Sequence, residues 1–170
     1  GERTGLLLVN LGTPDGTSFV PVWRYLRECL MDRRVIEWPR AIWYPILFGI
    51  VLNTRPRKSG EAYDTIWNHA QNESPLRTLT RSQAEKLSEQ FADLPDVSVY
   101  WAMRYGNPSI ASVVDRMLED GCRRIAMIPL YPQYSASTTA TVNDKMFDAL
   151  KRLRWQPALR TAPPWYDDPA

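Results

Sequence analysis

The period of the apolar residues changes several times along the chain, and each change marks an element. Leu6 to Asn10 is a short continuous apolar run bounded by Gly12 and Pro14, the pattern of a strand buried on both faces. Phe19, Val22, Trp23, Leu26 and Leu30 then recur at helical spacing. Thr17 or Ser18 can cap that helix, with Pro21 in the first turn, where a missing N–H costs nothing. After "ESPL", Thr80-Arg-Ser-Gln83 reads as a capping box, and Ala84, Leu87, Phe91 and Leu94 mark the helix face. "DVSVYWAM" alternates Val97, Val99, Trp101 and Met103, as a strand does. Asn107 and Pro108 predict the next helix start, Ile110, Val113, Val114, Met117 and Leu118 its stripe, and Gly121 the position just past its end. Arg123 to Leu130 reads as a third strand. A helix from Ser137 or Thr138 follows, with Val142, Met146, Leu150 and Leu153 inward, and Ala158 to Ala162 begins another strand.

Strands alternating with helices predict an α/β domain with a parallel sheet and right-handed crossovers. Ligands of such sheets bind beyond the carboxyl ends of the strands, which selects the loops "NLGTPDGTS", "RYGNPS" and "YPQYSASTT". Residues 35 to 60 interrupt the alternation. Ala41 to Leu52 carries no charge, yet falls short of the roughly 20 residues that span a bilayer. It reads either as a buried helix interrupted at Pro45 or as an exposed apolar lip facing a membrane or a flat ligand. Arg55, Arg57 and Lys58 follow at once. Apolar surface beside a cationic cluster suits an amphiphilic anion or a phospholipid surface, and otherwise a solvated loop.

Composition narrows the function classes. The 170 residues, 44% hydrophobic and 24% charged, suffice for one domain with a real core. A mean hydropathy of −0.38 argues against an integral membrane protein. A net charge of +2 argues against a nucleic-acid partner. Most of the 21 basic residues are Arg, whose planar fork suits carboxylates, although a coding bias would give the same excess. Cys29 and Cys122 form no framework and no zinc motif, so both read as small buried hydrophobes in a reducing compartment. The start at Gly1 beside a strand, and the stop just after another, read as a cut-down piece of a longer protein.

The strand-end loops carry the candidate chemistry. "NLGTPDG" matches neither GxGxxG nor a Walker A sequence, which leaves only a weak case for a phosphate cradle. Arg104 and Tyr105 are adjacent in a strand, so they point to opposite faces. Arg104 reads equally as a carboxylate clamp or as one side of a structural ion pair. In "LYPQYSASTT" one hydroxyl suffices to cap the helix. Tyr131, Tyr134, Ser135 and the remaining hydroxyls are surplus, and together suit the wall of a flat ligand's site. The single histidine, His69, sits in a polar loop, and no catalytic or metal-ligating constellation is present in the sequence.

In this order, "LLLVNLGTPDGTS", "YLRECLMDRRVIEWPRAIWYPILFGIVL", "RPRKSGEAYDTIW", "ESPL", "AMRYGNPSI" and "IPLYPQYSASTT" resemble ferrochelatase of the bacterial type, which inserts ferrous iron into a porphyrin. The resemblance covers Gly5 to about Val142. It implies a three-layer Rossmann-like (chelatase-like) fold, a parallel sheet with helices on both faces, in two similar halves around a cleft. Residues 1–170 would be the N-terminal half, with an irregular lip insertion at 35–75, and the C-terminal half is absent from this chain. The family's iron-handling histidine, in an "FSxHGxP"-like motif, and its acidic partner belong to that other half. The resemblance therefore implies no catalytic residue here, and a chain inactive by itself.

By position, the resemblance implies porphyrin-binding roles. Leu11 lies close to the macrocycle. Leu30, Met31 and the run Ala41 to Leu52 form a lip over the porphyrin that touches membrane. Arg55, Tyr63 and Ser74 meet the porphyrin or its propionates. Arg104 and Tyr105 lie near the metal's approach, and Tyr131, Ser135 and Ser137 wall the cleft. The implied partners are protoporphyrin IX, ferrous iron as substrate and the missing C-terminal half, in the cytoplasm or peripherally at the inner membrane. Ala136 stands where some members carry a cluster-ligating Cys, which argues against a two-iron two-sulfur cluster with that ligation. A coproporphyrin-type chelatase and a non-catalytic porphyrin- or haem-binding module are the alternatives.

Overall fold

The computed structural model describes residues 2–169. Four parallel strands, β1 (Arg3–Thr13), β2 (Val97–Gly106), β3 (Cys122–Pro129) and β4 (Ala158–Thr161), are ordered β2-β1-β3-β4. β1 pairs with β3 from Arg3 opposite Cys122 to Val9 opposite Pro129, with one register shift after Arg3. The helices are α1 (Phe19–Leu30), α2 (Arg40–Ile46), α3 (Leu52–Ile66), α4 (Pro75–Gln90), α5 (Ile110–Glu119) and α6 (Thr141–Lys151). The α/β class and the parallel sheet follow the expectation from the sequence, as does the alternation of strands and helices along the chain.

The described chain forms two compact units. The first takes the opening strand up to Leu11, Leu79–Arg104, and the chain from Pro108 onward. Its core packs Leu7, Val9, Ala102, Ile125 and Met127 of the sheet against Ile110, Val114 and Met117 of α5 and Val142 and Met146 of α6. All of these are essentially excluded from water. Alternation along β1 sends Asn10 to the face opposite Val9, where its amide donates to Thr80 Oγ1 of α4 at 3.1 Å. Helices therefore cover both faces of the sheet. The second unit, Gly12–Thr78 with Tyr105–Asn107, has its own smaller core of Leu30, Leu47 and Leu52, flanked by Trp23, Leu26, Met31, Ile36, Trp43 and Val51.

Several boundaries differ from the expectation. Thr80 is not a cap but an interior, fully buried residue of α4, which begins at Pro75, with Ser74 Oγ accepting from the Arg77 amide at 3.4 Å. Proline is well suited to that first position because it lacks only a donor that would be orphaned anyway. The same helix stops at Gln90, which leaves Leu94 outside it and exposed. α5 is capped by Ser109, whose hydroxyl accepts from the Ser112 amide, and not by Asn107. α6 does not begin at Ser137 or Thr138. A π-helical turn, Ala136–Ala140, precedes it. Cys122 is buried as expected, while Cys29 is half-buried.

The segment 35–75, expected to be irregular, is mostly helical. Pro45 does not break it, because the chain passes from α2 through a π-helical turn, Leu47–Val51, directly into α3. The wider turn re-aims the apolar run. Leu47 and Leu52 go inward, while Ile42 and Ile50 stay 54% and 60% exposed. Buried helix and exposed lip, read as alternatives in the sequence, are two sides of one segment.

Candidate functional site

In the first unit, the carboxyl end of β3 opens onto a concavity of about 470 Å³. It is lined by Tyr131, Pro132, Tyr134, Ser135, Thr138 and Tyr166. The π-helical turn sets its hydroxyl side. Ser135 Oγ lies 2.6 Å from Thr138 Oγ1 and 3.4 Å from Ser137 Oγ, and Ser135 O accepts from the Ala140 amide at 3.2 Å. Tyr131 and Ser135 thus line one concavity, and Ser137 stands beside Ser135 without lining it. Tyr166 was not singled out in the sequence; the surplus of aromatics in "PPWYDD" was the available signal. The tail that carries it is tied back by Trp165, whose amide donates to Pro132 O at 3.0 Å. Three tyrosines around hydroxyls give a surface with flat apolar faces and polar edges, which fits a planar ligand.

Arg104 leaves β2 on the α6 side. Its Nε donates to Thr141 Oγ1 at 2.7 Å and to Thr141 O at 3.0 Å, and the residue is buried. Part of its donor capacity therefore ties the strand to the start of α6. Leu11, near the carboxyl end of β1, is half-buried, with its amide donating to Asn10 Oδ1 at 2.8 Å.

In the second unit, Tyr105 is fully buried. Its hydroxyl donates to Asp32 Oδ2 at 2.6 Å, and its ring meets Tyr25 edge-on, with centroids 6.5 Å apart. Tyr63 meets the other side of Tyr25 at 6.3 Å, also edge-on. Tyr25 donates to Gly12 O at 3.2 Å. Burial, reinforced by Tyr63, pushes the Tyr25 phenol well above its ordinary value, and burial also raises Tyr63. Gly12 is required here on two counts. Its φ is +119°, and a Cβ at that position would stand 1.8 Å from Tyr105 O.

The lip residues are anchored rather than loose. Trp43 Nε1 donates to Leu30 O at 2.7 Å, and the Arg40 guanidinium donates to Met31 O and Ile36 O at 3.2 and 2.9 Å. Leu30 is buried and Met31 half-buried in the smaller core. Ser74 is buried and serves α4 as its cap. Arg55, Arg57 and Lys58 are exposed on α3 beside the apolar turn. His69 is exposed, with Asp64 3.9 Å away. Among the described residues no group of three His, Cys, Asp or Glu side chains is placed to hold a metal ion. Ala136, between Ser135 and Ser137, carries only a methyl group.

The family model for ferrochelatase matches residues 3–170. The chain is 67% identical over 167 residues to a ferrochelatase of Brucella anthropi, a match covering 98% of this chain and 48% of that protein. It is 66% identical to those of Brucella ovis and Brucella suis, covering 98% of this chain and 47% of each. The chain thus spans about half the length of the curated relatives it matches.

Proposed function

The chain belongs to the ferrochelatase family, and from that premise we propose that it supplies the N-terminal half of an enzyme that inserts ferrous iron into protoporphyrin IX. The observation that carries this reading is the tyrosine-walled concavity at the end of β3, with its hydroxyls gathered by the π-helical turn. A porphyrin is flat and apolar, with carboxylates at one edge. It needs aromatic walls and a cationic rim.

In this reading Tyr131, Ser135 and Ser137 hold one part of the macrocycle. Leu11, Leu30, Met31, Tyr63, Ser74, Arg104 and Tyr105 serve the macrocycle or its approach. Arg55 meets a propionate. Because Leu30, Ser74 and Tyr105 are buried, their contribution is to shape the surface from beneath rather than to lie flat against a ligand. Insertion requires distortion of the ring and a base for two pyrrole protons. Distortion draws on binding energy from the rest of the macrocycle, which is what a walled surface provides. The base belongs to the C-terminal half, so the chain alone is inactive. No two-iron two-sulfur cluster is part of the proposal, since the methyl of Ala136 offers iron no donor.

Among the described residues no helix is long and apolar enough to cross a membrane. The exposed apolar side of the lip, with Trp38, Ile42 and Ile50 beside Arg55, Arg57 and Lys58, supports a cytoplasmic protein that touches the inner membrane peripherally.

The test is a chimera. The matching half of Brucella anthropi ferrochelatase is replaced by this chain, and iron insertion is followed by loss of porphyrin fluorescence. Activity of the same order as the parent is expected. A folded chimera that binds no porphyrin would overturn the reading.

A further inference from the structure

Three consecutive residues at and just past the end of β2 are each held by a carboxylate from an earlier part of the chain. The Tyr105 hydroxyl donates a hydrogen bond to Asp32 Oδ2 at 2.6 Å. The Gly106 amide donates to Glu28 Oε2 at 3.0 Å. Asn107 Nδ2 donates to Asp15 Oδ2 at 2.8 Å. All six residues lie in the second unit.

Two of the three acids are themselves held in place. Asp32 uses its other oxygen to accept from the Arg34 amide at 2.8 Å, a local turn that fixes the carboxylate. Glu28 stands on α1, one helical turn before Asp32. Asp15 Oδ1 takes the Arg77 guanidinium at 2.6 Å. Hydrogen bonds to ionised groups are the strong kind. Gly106, the last residue of β2, takes φ +81°, and its Cα faces Thr13 O so closely that a Cβ would lie 2.6 Å from it.

We infer that Asp15, Glu28 and Asp32 are positioning residues that lock the Tyr105–Asn107 strand end in the shape that binds the flat ligand. This rests on the porphyrin reading for what the strand end helps to bind, while the lock itself stands on the three hydrogen bonds. Asp32 acts through Tyr105, so its effect on binding disappears when the Tyr105 hydroxyl is already gone.

The experiment has two arms on the same chain. Amide hydrogen exchange is measured at Gly106, with Val114 of α5 as a reference for the core. Glu28→Ala, at an exposed helical position, is expected to speed Gly106 exchange roughly tenfold or more and leave Val114 unchanged. In the second arm, protoporphyrin IX is titrated by fluorescence quenching. Asp32→Asn keeps the oxygen that serves the Arg34 amide but removes the acceptor of the Tyr105 proton. Asp32→Asn and Tyr105→Phe are each expected to weaken binding about tenfold, and the double variant no more than either. Unchanged Gly106 exchange in Glu28→Ala would overturn the lock. Additive losses in the double variant, or full affinity in Asp32→Asn, would overturn the positioning role. An unaltered chain that binds no porphyrin, with Gly106 still loosened by Glu28→Ala, would retire the porphyrin reading and leave the lock standing.

Discussion

Tyr25 shows how much of this molecule is decided by single side chains. It lies between Tyr63 and Tyr105 and is 8% exposed, with its hydroxyl on Gly12 O. Burial raises its pKa in the folded state, while in the unfolded chain the phenol ionises near its ordinary value of about 10. The folded form therefore binds that proton more tightly. Its contribution to stability is complete below pH about 10 and is lost as pH rises toward the folded-state value. Denaturant unfolding measured from pH 8 to 11 should show stability declining over the upper half of that range. Tyr25→Phe should flatten the decline while lowering stability at pH 8 by about 1 kcal/mol for the lost hydrogen bond. In the sequence Tyr25 was passed over, since it falls outside the apolar stripe of α1. Its partners come from two other elements, and no spacing rule joins them.

The elements themselves were largely legible, because their signals are local. Period, proline and glycine placed the strands and most helices to within a few residues. The errors lay in the 35–75 segment, expected to be irregular and found mostly helical, at the end of α4, and at helix starts. Ser109 caps α5 and Ser74 caps α4, while the sequence offered Asn107 and Thr80, residues equally suited by type. What separates them is which hydroxyl meets a free amide, and Thr80 instead accepts from Asn10, 70 positions away. The π-helical turn Leu47–Val51 was invisible for a related reason. One extra residue per turn changes no composition, yet it turns Ile50 outward and Leu47 and Leu52 inward. If that outward side meets lipid, Ile50→Asp should reduce sedimentation with anionic phosphatidylglycerol vesicles severalfold without altering the far-UV circular dichroism. Equal sedimentation would remove the lip from the membrane reading.

At the scale of the whole molecule, a net charge of +2 leaves little long-range field to steer an anionic ligand. Affinity for a dicarboxylate then depends on where individual cations stand. Arg55→Ala is expected to weaken porphyrin binding by roughly 1.5 kcal/mol, about tenfold in Kd, with a smaller salt dependence. Arg57→Ala, on the same helix, serves as the comparison, and equal affinity in Arg55→Ala would sink the rim role. The family was legible from the motif order, and the nearness of Ser135, Ser137 and Thr138 follows from their closeness in sequence, since one turn gathers them. Alternation along β2 likewise told that Arg104 and Tyr105 part company. It did not tell where each goes. Arg104 meets Thr141, 37 positions on, and Tyr105 meets Asp32, 73 positions back. The sequence by itself determined the strands, most of the helices, their order and the family, since propensity and periodicity act between near neighbours. Only the tertiary structure decided which strand-end side chains are buried, which are braced by distant carboxylates, and which remain at the surface of the concavity, since those pairings depend on loops closing across the chain.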